Sequence, residues 1–489
     1  MSLIQEHTGR VLSTLEKDGS RRWLKPRVSK GRFLTARTWA AWFLIVLFFA
    51  LPFIKINGHP AMLFDITARR FHLFGYTFLP TDTILLALAM LTIFVLIFLF
   101  TAILGRLWCG WACPQTVYLE FLYRPLERLF EGTAGKGGPA KKDLAAWRKP
   151  AYYVAALIVT LIPVHTFLAY WVGVDNLSTW VRGSPFKHPI AFLVMAVTTA
   201  LMMFNFVWFR EQLCIIACPY GRFQSVLLDK WSMIVSYDRR RGEPRGRGAK
   251  GTTIALPLVQ GGGEVRTGDC VDCNLCVTTC PTGIDIRDGL QLECVNCTQC
   301  IDACDAVMDK LKRPRGLIRY SSQAIIDGEQ QKRIRPRVIF YPLILCILIG
   351  AWITVFMKKG VADVTILRGP GNPFMLLDNG LVANGLKIKI QNRTDAAADY
   401  RFELLEVPGG KIVAGSNPMT VPGDQAVTQP FVVEVPPKVF APLGVYDVRL
   451  KVTGKDFEKV LTYRLLGPSG PVSTATTSAA TTEASGAKP

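Results

Sequence analysis

The sequence is poor in charge and in histidine. Charged residues make up 19% of the 489 residues and apolar residues 50%, with a mean hydropathy of +0.26. This balance excludes a disordered chain and is too apolar for an ordinary soluble enzyme. Of the five histidines only His165 lies clearly within an apolar segment, so a buried haem with two facing histidine ligands is not supported. No flavin or nicotinamide fingerprint is evident, which leaves the electron donor unknown.

Acidic residues are outnumbered by basic ones, 37 against 57, giving a formal net charge of +20. Such an excess is typical of nucleic-acid binding or of the cytoplasmic loops of a membrane protein. The second class is favoured because five segments reach the ~20 apolar residues that a helix needs to cross a bilayer. These segments are 38–56, 81–104, 151–173, 189–209 and 338–356.

The distribution of lysine and arginine predicts the topology. Residues 1–37, the loop after the second segment and residues 210–337 together hold 37 of these residues, whereas the loops 57–80 and 174–188 hold four. Basic loops stay in the cytoplasm. We therefore expect the N-terminus and residues 210–337 there, residues 357–489 on the other side, and contact with lipid but not with nucleic acid. A long basic arm precedes the first segment and no small-residue cleavage site follows it, which predicts a retained span.

Eight of the thirteen cysteines fall in two consecutive runs with the spacing Cys-x2-Cys-x2-Cys-x3-Cys. This is the spacing of bacterial two-cluster ferredoxins, in which the fourth cysteine of each run ligates the other cluster. The sequence therefore predicts two [4Fe–4S] clusters. The first is assigned to Cys270, Cys273, Cys276 and Cys304, and the second to Cys294, Cys297, Cys300 and Cys280.

Zinc sites and a disulfide framework are the alternatives for these runs. A reducing cytoplasm disfavours disulfides, and a zinc site needs only four ligands without the doubled spacing. One position departs from the ferredoxin pattern: Pro281 follows the first run, whereas Asp305 follows the second. We expect an altered environment at that second turn, with the cluster retained.

Two further cysteine pairs repeat after the second and fourth apolar segments. Each has the form Cys-x3-Cys-Pro: Cys109 and Cys113 before Pro114, and Cys214 and Cys218 before Pro219. The matched repetition predicts four thiols that meet near the membrane surface. Soft thiolates suit Cu(I), zinc or iron–sulfur. Small buried apolar side chains at a tight turn are the alternative, and the repetition favours a redox or metal role.

The rest of the chain carries weaker signals. Residues 239–268 are rich in glycine and arginine and predict a linker that touches lipid or is solvated. Five alternating runs at 386–392, 400–407, 431–437, 445–452 and 459–466 predict an antiparallel β-sandwich. Residues 467–489 are rich in Ser, Thr, Ala and Pro and predict disorder. Cys346 is interpreted as a packing residue, and His165 as a polar residue satisfied between helices.

Taken together, these motifs resemble the CcoG family (also called FixG or RdxA) of cytochrome c oxidase accessory proteins. The resemblance covers residues 23–466 and is carried by the paired Cys-x3-Cys-Pro turns, the doubled ferredoxin run, the fifth span and the terminal domain. The first half alone also resembles the membrane ferredoxins of nitrate and nitrous oxide respiration (NapH- and NosR-like). The fifth span and the sandwich are what select the CcoG family.

The resemblance implies a cupric reductase that supplies Cu(I) during assembly of a cbb-type oxidase. The eight run cysteines would then carry electrons, and Cys109, Cys113, Cys214 and Cys218 would be the copper or redox thiols. It further implies a multi-pass protein of the bacterial inner membrane, with oxidase assembly factors or a copper chaperone and a cytoplasmic electron donor as partners. A homodimer is left open. Quinol oxidation for another acceptor, and a non-catalytic scaffold or copper chaperone, are the competing hypotheses.

The expected architecture is an α-helical bundle of five spans with an inserted ferredoxin-like two-cluster domain and a C-terminal immunoglobulin-like β-sandwich. The predicted order is a cytoplasmic basic arm at 1–37, a four-helix membrane region with both cysteine turns at 38–237, the linker and ferredoxin-type domain at 238–337, the fifth span at 338–356, a periplasmic sandwich at 357–466 and the tail at 467–489.

Overall fold

The computed structural model describes residues 13–15, 18, 20–56, 58–66, 70–79, 82–131, 145–246, 253–254, 265–266, 268–330, 334–394, 396–440 and 443–469. The chain divides into two compact units, Met1–Thr354 and Val355–Pro489. Much of the predicted linker (247–252, 255–264 and 267) and the predicted disordered tail from 470 lie outside the described residues.

Five helices of the first unit and its boundary are long and apolar enough to cross a membrane. They are Arg32–Phe53, Thr83–Leu104, Arg148–Val172, Pro189–Phe209 and Pro336–Met357. Most of their side chains are not buried within the chain. A helix that is apolar all round needs lipid or protein to cover it. The most apolar stretch of the fifth helix has no residue buried within the chain, whereas 39% of the corresponding stretch of the third helix is buried. These findings match the sequence expectation of a multi-pass membrane protein.

Two details of the spanning helices differ from expectation. Cys346 is exposed on the fifth helix, so its interpretation as a packing residue is wrong: the side chain points away from the described chain. His165 forms a hydrogen bond of 2.7 Å with the carbonyl oxygen of Leu161, one turn earlier in its own helix. The ring nitrogen that makes this bond, Nδ1, is therefore satisfied within its own helix.

The loop between the first two spanning helices contains a small sheet that the sequence pattern did not reveal. Three antiparallel strands follow one another: Met62–Asp65, Arg70–Leu73 and Tyr76–Phe78. A two-residue pair, Lys55–Ile56 with His59–Pro60, precedes them. Strands this short fall below the length at which alternation is informative.

The cysteine-rich part of the first unit is framed by two antiparallel strands, Ile234–Tyr237 and Ile318–Ser321. Between them lie the short helices Leu275–Thr278 and Gln299–Lys310 and the 3₁₀ turn Ile286–Asp288. Isoleucine and valine side chains from these elements pack with the cysteines into one buried cluster. The two cysteine runs therefore share a single small core.

The second unit is a sandwich of two antiparallel sheets, as the alternating runs predicted. One sheet has the order Ala362–Arg368, Val382–Asn392, Ala426–Val435, Lys411–Ala414, with Met375–Leu376 added on Val382–Asn392. The other has the order Met419–Val421, Ala398–Leu405, Val445–Gly454, Phe457–Leu466. Alternate side chains such as Ile388, Phe402 and Val452 point inward and are fully buried.

Candidate functional site

The two cysteine runs line two neighbouring cavities, and the fourth cysteine of each run crosses to the other cavity. Cys304 lines the first cavity together with the leading three cysteines of the first run, Cys270, Cys273 and Cys276. Cys280 lines the second cavity together with Cys294, Cys297 and Cys300. We call these cavities the first and the second cluster cavity. Cys276 lines both cavities. The crossed ligand assignment predicts such a placement of Cys304 and Cys280, and the assignment itself stays a prediction.

The loops around both cavities repeat the same unusual backbone. Asp272 and Asn274 in the first run have φ of 50° and 54°, and Asn296 and Thr298 in the second run have 54° and 62°. Left-handed conformations are uncommon for residues other than glycine and cost free energy unless the surroundings require them. In both runs they occur at the second and fourth positions after the leading cysteine. The repeated strain turns each loop around its cavity.

The chemistry of the donor set fits iron–sulfur clusters. All thirteen cysteines are free, and both cavities have apolar walls that include Val235, Ile284 and Met308. Burial raises the pKa of the Cys294 thiol to about 11 and that of Cys304 to about 12. Thiols that are so reluctant to ionise become ligands when a metal takes the place of the proton. The residues present therefore suit two [4Fe–4S] clusters.

Asp305 has a role that the ferredoxin pattern would not supply. It lies within the helix Gln299–Lys310, and its side chain accepts a hydrogen bond of 3.0 Å from the backbone N–H of Gly316. A proline at this position would remove a helical N–H donor. The helix instead continues past Cys304 for six residues, so the environment of this turn is altered as expected.

The two Cys-x3-Cys-Pro turns have the same local geometry. Cys113 and Cys218 both adopt extended backbone, with φ/ψ of −62°/127° and −71°/112°, and each precedes a helix that begins at proline. The N–H of Cys113 donates to the carbonyl of Trp108, and that of Cys218 to Leu213, five residues earlier in each case. The second cysteine of each pair therefore stands at the break between two helical segments, and proline begins the next one.

The four thiols of these turns lie close enough for their charges to act on one another. Burial raises the pKa of Cys109 to about 12, and the charges of Cys113 and Cys218 add to that rise while Arg106 opposes it. Burial also raises the pKa of Cys214, with further contributions from the other three thiols. The Cys109 thiol donates a hydrogen bond of 3.3 Å to Oε1 of Gln224, which is fully buried. The matched repeats thus place Cys109, Cys113, Cys214 and Cys218 near enough for their charges to act on one another.

Polar contacts lock the two turns together. The side chains of Gln115 and Asn205 exchange hydrogen bonds of 3.2 and 2.7 Å, and Gln115 also donates to the carbonyl of Arg210. Tyr220 and Thr101 share a hydrogen bond of 3.1 Å between their hydroxyl groups. The arrangement of the four thiols therefore depends on both hairpins being present.

The first thiol turn lies directly against the second cluster run. A Cβ built on Gly110, between Cys109 and Cys113, would meet the carbonyl oxygens of Asn296 at 2.6 Å and Val295 at 2.7 Å. Only glycine permits this approach. The second cluster cavity is thereby adjacent to the turn that carries Cys109 and Cys113.

Two buried arginines hold this contact in place. Arg37 donates to the carbonyls of Gly110 (2.9 Å) and Cys297 (2.8 Å). Arg106 donates to the carbonyls of Cys294 and, just before the cluster run, Leu292. It also donates to the carbonyl of Gly221 (3.0 Å), in the helix that follows the second thiol turn. In the sequence both residues contribute only to the positive charge that predicts the topology.

A buried ion network and its contact with the N-terminal arm were not predicted from the sequence. Arg124 is 1% exposed and pairs with Glu120 and Glu211, while Arg210 pairs with Glu127 at 2.8 Å. The arm joins this network because Lys25 lies 3.7 Å from Glu127. It joins the cluster runs through hydrogen bonds of Arg27 and Ser29 with residues 278, 279 and 299. In the sequence this network is indicated only by the charged residues 124, 127 and 131, which are three and four positions apart and therefore share one helical face.

Family models match three parts of the chain. A 4Fe-4S binding domain matches residues 86–132, a 4Fe-4S dicluster domain matches residues 209–323, and the model described as the IG-like fold at the C-terminus of FixG matches residues 352–467. The dicluster match contains both cysteine runs and the second thiol turn. The first match contains Cys109 and Cys113.

Three relatives resemble the chain over most of its length. RdxB of Cereibacter sphaeroides is 31% identical over 83% of this chain and 87% of its own. FixG of Rhizobium meliloti is 33% identical, with coverages of 76% and 77%. RdxA of Cereibacter sphaeroides is 30% identical, with coverages of 78% and 81%. The chain therefore belongs to the CcoG/FixG/RdxA family of membrane iron–sulfur accessory proteins of oxidoreductase type, with two [4Fe–4S] clusters.

Proposed function

We propose that the protein reduces Cu(II) to Cu(I) at Cys109, Cys113, Cys214 and Cys218 for assembly of a cbb-type cytochrome c oxidase. Each copper ion gains one electron, and a reduced cluster loses it. We further propose that the clusters lie on the cytoplasmic side of the bacterial inner membrane and that residues 357–466 lie in the periplasm. Assembly factors or a copper chaperone would receive the Cu(I).

One observation carries this proposal: the contact of Gly110 with the backbone of Val295 and Asn296. It joins a group of four soft ligands to the loop that lines the second cluster cavity. When bound, the clusters supply single electrons at this position. The chain itself supplies thiolates, which stabilise Cu(I) over Cu(II) because soft ligands prefer the softer ion.

The surroundings of the four thiols also favour Cu(I). Cys109 and Cys214 are half-buried, and the charge of Arg106 acts on the thiol of Cys109. A positive group beside a thiolate stabilises the ionised form that binds metal. Partial burial limits water at the site, while the exposed fraction leaves a route for an incoming ion.

The test is turnover of Cu(II) by the purified full-length protein under anaerobic conditions. With its clusters reduced, the protein is expected to convert Cu(II) to Cu(I), which is detected with a Cu(I)-specific chromophoric chelator. Substitution of all four thiols by serine is expected to abolish the reaction while the cluster absorbance is retained. Cys346→Ser is the matched control, because Cys346 is exposed and distant in sequence from both turns.

Iron and copper contents measured in the same preparations distinguish the chemistry of the four thiols. Two clusters correspond to about eight iron atoms per chain. A measured content of about twelve iron atoms per chain, falling to about eight in the quadruple serine variant, would show that the four thiols bind a third cluster instead of copper. Unchanged turnover in the quadruple variant would contradict the site.

Quinol oxidation is a second candidate function, favoured by a cavity beside the second cluster run. This cavity is lined by Arg37, Glu120 and Phe121, and by Thr279 and Gln299, which are the sequence neighbours of Cys280 and Cys300. Further along the first spanning helix, Trp42, Ile45 and Phe49 line an apolar groove with Leu122. Thr38 of the cavity and Trp42 of the groove are four residues apart and share a helix face, so the groove follows the cavity along the first spanning helix.

Anaerobic addition of a quinol analogue tests this candidate. Bleaching of the cluster absorbance, weakened by Glu120→Gln, would favour quinol as the electron donor. Absence of bleaching would count against it without touching the copper reaction. Clusters that cannot be cycled without loss of iron would favour the non-catalytic scaffold and contradict both electron-transfer functions.

A further inference from the structure

Beside the second cluster cavity lie two buried positive charges that form no ion pair with a carboxylate among the residues that the structure describes. Arg37 and Arg106 are 2% and 6% exposed. In the described part of the chain their hydrogen bonds all go to backbone carbonyls, among them those of the ligand residues Cys294 and Cys297. Nη2 of Arg37 and Nε of Arg106 have no hydrogen-bond partner there.

The first cluster cavity has the opposite balance. Its arginine, Arg287, is ion-paired with both Asp272 (2.5 Å) and Asp285 (2.6 Å). Asp305, whose charge acts on Cys304, has the exposed Arg32 as its partner at 3.8 Å. The charge of Arg287 is therefore neutralised by carboxylates, unlike that of Arg37 and Arg106.

An unneutralised buried guanidinium is costly, because burial removes water and an isolated charge in the interior is strongly unfavourable. Glu293 is the carboxylate that acts on Cys294, and one carboxylate does not balance two arginines. The remaining counter-charge has to come from the occupant of the cavity. An iron–sulfur cluster with four thiolate ligands is negatively charged and becomes more so on reduction.

We infer that Arg37 and Arg106 are positioning residues that make the second cluster the more easily reduced of the two. Their charges favour the extra electron, whereas the carboxylates around Arg287 oppose it at the first cluster. The charge of the surroundings and the hydrogen bonding around the ligands are among the factors that set the potential of such clusters. An electron shared between the two clusters therefore resides mainly in the second cavity, beside Cys109 and Cys113.

This inference depends on the two-cluster content and not on copper. Its test is a potentiometric titration of the full-length protein, followed by electron paramagnetic resonance. Two signals of different potential are expected. Cys273→Ser, at the exposed ligand of the first cavity, identifies which signal belongs to which cluster. The higher potential is expected to belong to the cluster that Cys273→Ser leaves unaltered.

Arg37→Gln and Arg106→Gln are each expected to lower the potential of the second cluster. The equilibrium constant for electron exchange between the clusters should move at least tenfold toward the first, which for a one-electron couple corresponds to about 59 mV. Arg37→Lys keeps the charge and should shift the constant less than threefold. Arg319→Gln, at an exposed arginine paired with Asp238, is the control and should leave both potentials unchanged.

Three results would overturn the inference. The first is a higher potential for the first cluster. The second is a glutamine variant with both clusters present and both potentials unchanged. The third is a shift in Arg37→Lys as large as that in Arg37→Gln, since the effect would then come from geometry and not from charge. Arg106→Gln keeps the test open if Arg37→Gln does not assemble its clusters.

Discussion

Gly110 and Asn296 are in direct backbone contact, although they belong to motifs 186 residues apart. A methyl group on Gly110 would lie 2.6 Å from the carbonyl oxygen of Asn296, a distance that neither backbone can accommodate without moving. The contact connects the first thiol turn to the second cluster run. Arg37 bridges the same two segments.

Gly110→Ala is therefore expected to separate the thiol turn from the second cluster run while both clusters still assemble. Electron transfer falls steeply with distance, so the rate at which reduced clusters are reoxidised by added Cu(II) should drop at least tenfold. Stopped-flow absorbance measures that rate, and iron content verifies assembly. Gly350→Ala is the control, since nothing lies within 4 Å of its added Cβ. Equal rates for both variants would show that the contact is unimportant.

Substitution of the fourth cysteine in either run is expected to alter the cluster that the other run mainly binds. Cys280→Ser is expected to alter the cluster of Cys294, Cys297 and Cys300, because Cys280 lines the second cavity. Cys304→Ser should alter the cluster of the first run, because Cys304 lines the first cavity. Paramagnetic resonance of the reduced protein, with the signals assigned as above, reads out which cluster changes. An effect of Cys280→Ser on the first-run cluster alone would contradict the crossed assignment.

Loss of the buried arginine at the centre of the ion network should be strongly destabilising. Arg124→Gln leaves Glu120 and Glu211 short of a partner and removes the contact of Arg124 with the carbonyl of Pro281, next to Cys280. Removing one partner of a buried ion pair costs about 3–5 kcal/mol. Thermal unfolding in a detergent micelle measures the loss. Arg464→Gln removes a fully exposed pair with Asp447 and should leave the melting temperature unchanged.

Core truncation in the sandwich should act on that unit by itself. Phe402 is 1% exposed and packs against Phe431 with ring centroids 5.8 Å apart. Phe402→Ala is expected to cost about 3–5 kcal/mol of unfolding free energy, and Ile388→Val about 0.5–1.5 kcal/mol. Iron content should stay at the wild-type value because the two units are separately compact. A parallel loss of iron would show that cluster assembly depends on the sandwich.

Several features of this fold could be predicted because their signals are local. A 20-residue apolar run, an alternating strand or a Cys-x2-Cys-x2-Cys spacing is complete within one short segment. The predicted spans and the observed helices agree within about six residues at each end. The short strands at 62–78 were missed because they carry too few residues for alternation to be informative.

The surroundings of the candidate site could not be predicted in the same way. Arg37 and Arg106 look in the sequence like ordinary basic residues beside spanning helices, which the topology rule already explains. Nothing local distinguishes them from Arg32, which is exposed. Cys346 shows the converse error, because an apolar position in a spanning helix does not say which side faces protein and which faces lipid.

The five spans, the doubled cysteine spacing, the repeated thiol turns and the strands of the sandwich could all be predicted from the sequence. Each of these depends on spacing or periodicity within a continuous segment. The packing of whole elements places the second cluster run against the turn of Cys109 and Cys113, with Arg37 and Arg106 between them. That arrangement joins residues as much as 260 positions apart, and contacts of this kind are set by how whole elements pack and not by the pattern within any one of them.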